Sequence, residues 1–179
     1  MSRAGGDVHP GGNPHVWLDP YNGAVIAANI AAKLKALDPE HAAAYDKNLA
    51  SFQSRLAAAN KRWDREAASL KGLEIVTYHR SWSNFAKRFG LNVVDYVEPK
   101  PGIPASPAHT FALTQKIKDR KIRLIISEPY FDLSVPDHLA KTSGAAVLVL
   151  PPSVGGAADA KDYISLFDYD VKKLLEAAK

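Results

Sequence analysis

Apolar positions in the first part of the chain recur at intervals of three and four residues, the spacing of one face of an α-helix. The first helix is predicted from Pro20, with Asp19 as its N-cap, and it ends before Asp38 and Pro39, which also start the next helix. The second helix carries a long apolar seam that we expect to pack against another helix or a sheet. The apolar face of the first helix comprises Ile26, Ile30, Leu34 and Leu37, and the seam of the second comprises Tyr45, Leu49, Phe52, Leu56, Ala59 and Trp63.

After Gly72 the pattern changes to short apolar runs separated by helix-length stretches. This alternation is typical of a parallel sheet covered by helices. The sequence therefore predicts an α/β fold, with a parallel four-stranded sheet flanked by helices and preceded by the long helix from Pro20. Strands are expected at residues 73–77, 91–97, 122–126 and 146–150, and helices at 81–89, 109–120, 135–143 and 162–178.

Length and composition indicate one domain. A chain of 179 residues can bury a sizeable core, and its 46% hydrophobic and 23% charged residues are typical of globular proteins. We expect residues 1–19 to form a leader or linker loop, since residues 1–14 are rich in Gly and Pro, and residues 20–179 to form the domain. The first residues lack the apolar core of a signal peptide and no apolar stretch could span a membrane, so we expect a soluble chain without a signal peptide.

Charge and cysteine content narrow the function. The net charge is +4 and the pI about 9.2, but Lys and Arg are scattered among Asp and Glu, which disfavours nucleic acid as a partner. The chain has no Cys, which excludes disulfides and thiolate metal sites. Any metal must therefore be held by His, by carboxylate or by water.

Two candidate ligands follow predicted strands, at the carboxyl edge where a parallel sheet places its ligand site. His79 comes after the first strand, and imidazole is the commonest metal ligand, although a His bonded to backbone at a helix N-terminus is the alternative. Glu128 comes after the third strand, where it could bind metal or hold a ligand His in place. An N-cap or a salt-bridge partner is the alternative interpretation of Glu128.

A third candidate, His15, lies in an extended entry into the first helix, where Pro14 and Pro20 restrict the backbone. A solvated loop side chain is the alternative interpretation. His9 lies in the leader. The remaining histidines fall on predicted helix starts or faces and are interpreted as structural or exposed: His41, His109 and His138.

The residues favour binding over catalysis. Ser81 near His79 is an insufficient nucleophile and base, and the HExxH, GxSxG and P-loop patterns are absent. A metallohydrolase site using His15 and Glu128 stays an alternative, but it lacks the usual pair of ligands on one helix face.

Several motifs, taken in order, resemble a known family: Asn-Pro-His-Val-Trp-Leu-Asp-Pro at residues 13–20, Val-Thr-Tyr-His at 76–79, Glu-Pro-Lys-Pro-Gly at 98–102 and Ile-Ser-Glu-Pro-Tyr-Phe at 126–131. They resemble the C-terminal half of the periplasmic zinc/manganese solute-binding proteins of bacterial ABC importers, over nearly the whole chain. The resemblance implies two parallel-sheet lobes joined by one long helix, with metal held between them and delivered to an ABC permease in the inner membrane. The helix from Pro20 to Leu37 is then the connector, and the location is periplasmic or otherwise extracytoplasmic.

The resemblance also implies ligands. It places the second-lobe ligands on His15 and His79, and a late carboxylate near residues 150–153, where this sequence reads Leu-Pro-Pro-Ser. Glu128, His9 or water is then the candidate replacement. A His rather than a Glu at position 79 favours Zn2+ over Mn2+, since imidazole suits zinc and harder oxygen ligands suit manganese. The first lobe is absent from this chain, and a homodimer through the exposed half-cleft is one way to complete the coordination.

The sequence thus predicts a Zn2+-binding part of the solute-binding component of a metal importer, without enzymatic activity. The first alternative is a metal-independent interaction or adhesion domain derived from that family. The second is a metallohydrolase.

Overall fold

The computed structural model describes residues 12–100 and 102–179. Most of the predicted leader, including His9, lies outside these residues, and its described part is a loop with one 3-10 turn at Val16–Leu18. The long helix α1 follows at Pro20–Leu37, as predicted. Asp19 caps α1 by accepting the backbone N–H of Tyr21 at 3.0 Å, and Pro20 takes the first helical position, where its missing N–H has no cost.

Helix α2 spans Ala42–Glu66 and is flanked by 3-10 turns at Pro39–His41 and Ala67–Leu70. The C-terminal part of its predicted seam is confirmed as core. Leu56, Ala59 and Trp63 are all fully buried.

Helix α1 packs against α2, although several of its long apolar side chains stay exposed. Ile30 and Leu37 are 55% and 69% exposed, whereas Gly23 and Ala31 are buried. Gly23 lies against the ring of Tyr163 in α6, and Ile30 lines a groove between α1 and α2.

The predicted four-stranded parallel sheet is confirmed. The strand order is β2-β1-β3-β4, with every neighbouring pair parallel. The strands are β1 (Glu74–Thr77), β2 (Asn92–Tyr96), β3 (Leu124–Ser127) and β4 (Ala146–Val149), and the helices after them are α3 (Ser83–Phe89), α4 (Pro107–Asp119), α5 (Ser134–Ser143) and α6 (Tyr163–Ala177).

The sheet separates two apolar cores, because successive strand residues point to opposite faces. Ile75 and Ile126 pack with side chains of α2, α3 and α6. Val76 and Ile125 pack with side chains of α4 and α5 on the other face. The result is a three-layer arrangement in which the carboxyl edge of the sheet stays open to a ligand. Within residues 12–100 and 102–179, no helix has the length and apolar character needed to cross a membrane.

Candidate metal centre

His79 lies at the carboxyl edge of the sheet, just after β1. Its backbone is extended, with φ −114° and ψ 174°, before the chain enters the 3-10 turn Arg80–Trp82 that precedes α3. Thr77 Oγ1, at the end of β1, donates a hydrogen bond to the His79 carbonyl at 2.7 Å. The imidazole is mostly buried, with 14% of the side chain exposed. The strand end therefore fixes where this ring lies.

Glu98 orients the ring of His79. Its Oε2 lies 2.6 Å from His79 Nδ1, while Oε1 accepts the backbone N–H of Gly102 at 2.5 Å. A carboxylate in this position accepts, so Nδ1 of His79 carries the ring proton, and Nε2 then carries the lone pair of the neutral imidazole. The Glu-Pro-Lys-Pro-Gly motif at residues 98–102 does not by itself assign a function to Glu98. Its place after β2, the neighbour of β1 in the sheet, is the signal that could have identified it.

Asn13 and Asn84 hold the loop that carries His15. Asn13 Oδ1 accepts from His15 Nδ1 at 2.8 Å and from the His15 backbone N–H at 2.9 Å, while Asn13 Nδ2 donates to the carbonyl of Arg80 at 2.8 Å. Asn84 Nδ2 donates to the His15 carbonyl at 2.9 Å. The loop is thus tied to the segment that follows His79. As in His79, the acceptor at Nδ1 leaves the lone pair of the neutral ring on Nε2.

The two predicted imidazoles lie next to each other. The ring centroids of His15 and His79 are 5.8 Å apart, and the ring planes meet at 76°. Zinc–nitrogen bonds of about 2 Å place each centroid roughly 3 Å from the metal, so tetrahedral ligation separates the two centroids by roughly 5 Å. The observed separation is close to that value. Small ring movements would suffice for both residues to bind one ion.

Glu128 is fully buried behind this pair. Its Oε1 accepts the hydroxyl of Ser81 at 2.6 Å, and among the described residues Oε2 has no hydrogen-bond partner. Burial raises the pKa of the Glu128 carboxyl, against the opposing effects of the Ser81 hydrogen bond and the nearby His79. The Ser81 hydroxyl therefore donates its hydrogen bond to the carboxylate of Glu128 and not to the imidazole of His79. This arrangement disfavours Ser81 and His79 as a catalytic nucleophile and its base.

The described residues bring two candidate ligands together but do not form a complete site. No group of three His, Cys, Asp or Glu side chains within them is arranged to hold a metal ion. Pro152, in the segment where the resemblance implied a carboxylate, contributes a backbone carbonyl that accepts Trp17 Nε1 at 2.8 Å. His9 lies outside the described residues.

The other histidines lie apart from the pair. His41 Nδ1 is 2.9 Å from Asp38 at the start of α2, and His109 Nε2 is 2.9 Å from the carbonyl of Tyr96. His138 is exposed on α5.

The chemistry of the His15 and His79 pair suits a borderline metal such as zinc. Both candidate ligands are imidazoles, and each has an oxygen acceptor at Nδ1, the amide of Asn13 or the carboxylate of Glu98.

Comparison with known proteins gives one consistent family. The family described as "ZnuA: Zinc-uptake complex component A periplasmic" matches residues 2–177. The high-affinity zinc uptake system protein ZnuA of Brucella abortus (strain 2308) is 30% identical over 165 residues, which make up 92% of this chain and 48% of that protein. The chain thus spans about half the length of the curated relatives it matches.

Solved structures agree with the sequence comparison. A crystal structure of ZnuA superposes with a TM-score of 0.81 at 27% identity, covering 93% of this chain and 62% of that one. The laminin-binding protein Lmb of Streptococcus agalactiae, described as a bifunctional protein with adhesin and metal transporting activity, gives a TM-score of 0.82 at 26% identity, over 93% of this chain and 65% of that one. With nearly its whole length matched, this chain belongs to the ZnuA family of periplasmic zinc-uptake components.

Proposed function

We propose that this chain binds Zn2+ through Nε2 of His15 and Nε2 of His79, as part of the solute-binding component of a metal importer. The observation that carries the proposal is the pair of adjacent imidazoles, 5.8 Å apart between centroids, with an oxygen acceptor at Nδ1 of each ring. Zinc-ligating histidines characteristically donate their second ring N–H to such an acceptor, which fixes the tautomer and raises the basicity of the ligating nitrogen.

Zinc is favoured over manganese by the ligand type. Both converging groups are imidazoles, whereas Mn2+ prefers carboxylate, carbonyl and water oxygens. The zinc-uptake relatives support the same choice.

The remaining ligands have several candidate sources. Glu128 stays a prediction as a third ligand, and its complete burial and its bond to Ser81 favour the other role foreseen for it, a carboxylate behind the site. His9, water and a second copy of the chain across the exposed half-cleft are the other sources. A zinc ion with only two protein ligands keeps open positions and binds less tightly than in a closed four-ligand site.

The biological setting of the proposal comes from the family. The chain corresponds to about half of its zinc-uptake relatives, so it would contribute one side of a metal site located outside the cytoplasm. An ABC permease in the inner membrane would receive the ion. The role is capture and release of cargo, and no catalytic step is proposed.

The direct test is calorimetric titration of the chain with ZnCl2. For the wild type we expect saturable binding of one zinc ion per chain, or one per two chains if a second copy completes the site. The double variant His15→Ala/His79→Ala should lose that binding. His138→Ala is the matched control, because it removes an exposed imidazole on α5 and should bind zinc as the wild type does. Unchanged binding by the double variant would refute the assignment.

Thermal unfolding distinguishes a working metal site from the metal-independent interaction or adhesion domain. A ligand that binds only the folded state stabilises it, by about 2.7 kcal/mol when its free concentration is about one hundred times Kd. Zinc should therefore raise the melting temperature of the wild type and of His138→Ala. If zinc raises the melting temperature of neither protein, the adhesion alternative gains support.

A further inference from the structure

We propose that Tyr163 is a positioning residue for zinc binding, acting on His15 through the backbone of Trp17. The inference rests on the proposed function, because it presumes that His15 is a ligand. It assigns a role to a phenol that lies 148 positions along the chain from that ligand and that does not itself touch the metal.

Tyr163 anchors the His15 loop in addition to Asn13 and Asn84. It stands at the first position of α6, and its hydroxyl donates to the carbonyl of Trp17 at 2.6 Å, with a longer contact of 3.5 Å to the carbonyl of Asp19. Burial raises the pKa of the Tyr163 phenol. The hydroxyl thus remains a protonated donor at any physiological pH.

Gly23 of α1 makes room for this phenol. A Cβ at position 23 would lie 2.5 Å from Tyr163 Cε1 and 2.9 Å from Cζ, closer than real Cβ contacts come. The glycine is therefore required by the approach of the ring rather than by the helix. Helix interiors disfavour Gly by up to about 1 kcal/mol relative to Ala, so its presence marks a contact that a side chain would disrupt.

Trp17 connects the phenol to the ligand. Its indole Nε1 donates to the carbonyl of Pro152 at 2.8 Å, its own carbonyl accepts from Tyr163, and its ring lies 5.4 Å from the ring of His15. Two hydrogen bonds thus fasten the residue two positions after the ligand to the segment after β4 and to α6. The segment at Pro152, where the resemblance implied a metal-binding carboxylate, anchors the ligand loop through its backbone instead.

The test compares zinc affinity in Tyr163→Phe with that in Tyr169→Phe. Both variants remove one hydroxyl from the same helix, but Tyr169 takes no part in the hydrogen bonds that hold Trp17, and the ammonium of Lys173 lies 5.9 Å from its ring centroid. Outer-shell partners of metal ligands typically change affinity by about 10- to 100-fold, and we expect the lower end of that range for a group acting through the backbone. Tyr163→Phe should therefore raise the zinc Kd about tenfold, and Tyr169→Phe should leave it unchanged.

Gly23→Ala provides an independent perturbation, because its methyl group displaces the Tyr163 ring without altering the hydroxyl. It should raise the zinc Kd as well, measured at a temperature at which circular dichroism shows each variant fully folded. Amide hydrogen exchange should increase selectively at Val16, Trp17 and Leu18 in the zinc-free variants. If Gly23→Ala does not fold, Tyr163→Phe decides alone.

The outcomes separate this inference from the proposed function. A wild type that binds zinc through His15, together with a Tyr163→Phe variant whose Kd is within twofold of it, overturns the inference and leaves the proposed function standing. A fall in melting temperature without a change in Kd has the same meaning, since it assigns the phenol a purely structural role. A wild type that does not bind zinc at His15 overturns both.

Discussion

Replacing Glu98 with Gln tests whether the hydrogen bond behind His79 tunes zinc affinity. The carboxylate receives two N–H groups, His79 Nδ1–H at 2.6 Å and the Gly102 N–H at 2.5 Å, one on each oxygen. Gln has the same shape but only one oxygen, so it can accept only one of these donors and must turn its NH2 group toward the other. The substitution therefore removes the negative charge and one of the two hydrogen bonds.

The magnitude follows from the burial of the pair. The side chains of Glu98 and His79 are only 10% and 14% exposed, so the lost interaction is a charge-assisted hydrogen bond in a poorly solvated setting. The bond is already present without metal, so the zinc Kd responds to the part of its strength that is gained when zinc withdraws electron density from the imidazole and makes Nδ1–H a stronger donor. Replacing outer-shell partners of metal ligands typically changes metal affinity by about 10- to 100-fold.

The assay is competition for zinc against a chromogenic chelator, at neutral pH, with Glu98→Gln compared with Glu74→Gln. Glu74 is the matched control, because it starts the strand that leads to His79 and pairs with Arg120 at the opposite end of the sheet. Glu74→Gln should bind zinc as the wild type does, while Glu98→Gln should bind about 10- to 100-fold more weakly. Equal Kd values for the two variants would refute the reasoning.

Three further predictions concern stability. Asp170 is fully buried, and neither of its oxygens has a hydrogen-bond partner among the described residues. Burial raises the pKa of its carboxyl well above 3.8, so the folded state binds more protons than the unfolded state at pH values above 3.8. The free energy of unfolding therefore falls by up to about 1.4 kcal/mol per pH unit as pH rises from 3.8 toward the pKa of the folded state. Asp170→Asn should remove this slope in urea unfolding over a pH series, and an unchanged slope would show that another group is responsible. Phe167→Ala should cost about 3–5 kcal/mol in denaturant unfolding, because the buried ring lies 5.4 Å from Trp63, and a loss well under this range would mean that the core refills the space. Ser81→Ala should cost about 1–3 kcal/mol in the same assay, because it removes the donor to the buried Glu128 carboxylate, and full stability would indicate that water replaces the hydroxyl.

Much of the fold could be predicted because local patterns and tertiary structure agree. Asp19 and Pro20 mark the start of α1 by the chemistry of helix caps, and the structure begins the helix at Pro20. The short apolar runs become strands of one sheet, and all four residues of the inner strand β3 are buried, as expected for a strand covered on both faces. The strand order β2-β1-β3-β4 is not readable from these runs, since the crossovers that determine it depend on packing between helices and sheet.

The exposed face of α1 shows where the pattern fails. Ile30, Leu34 and Leu37 repeat at helical spacing, which predicts a buried stripe, yet the structure exposes them and buries Gly23 and Ala31 instead. Periodicity identifies an apolar face without identifying its partner. The side chain that occupies the space over Gly23 comes from Tyr163, whose distance along the chain hides the contact from any local pattern.

Contacts between distant parts of the chain also explain why the two ligands could be proposed from the sequence while the hydrogen-bond acceptors that orient them could not. A His directly after a strand is a candidate from its position alone, whereas His15 in its proline-restricted loop becomes a candidate ligand through the family resemblance of the motif around it. The hydrogen bonds that orient their rings reach from Asn13 and Glu98, and bonds of this kind are visible only once the loops are in place. These acceptors set both tautomers and leave the lone pair of each neutral ring on Nε2, the nitrogen proposed to bind zinc, so part of the ordering that zinc would otherwise have to impose is already present in the fold. The zinc affinity of this half of the site should therefore fall when either acceptor is replaced.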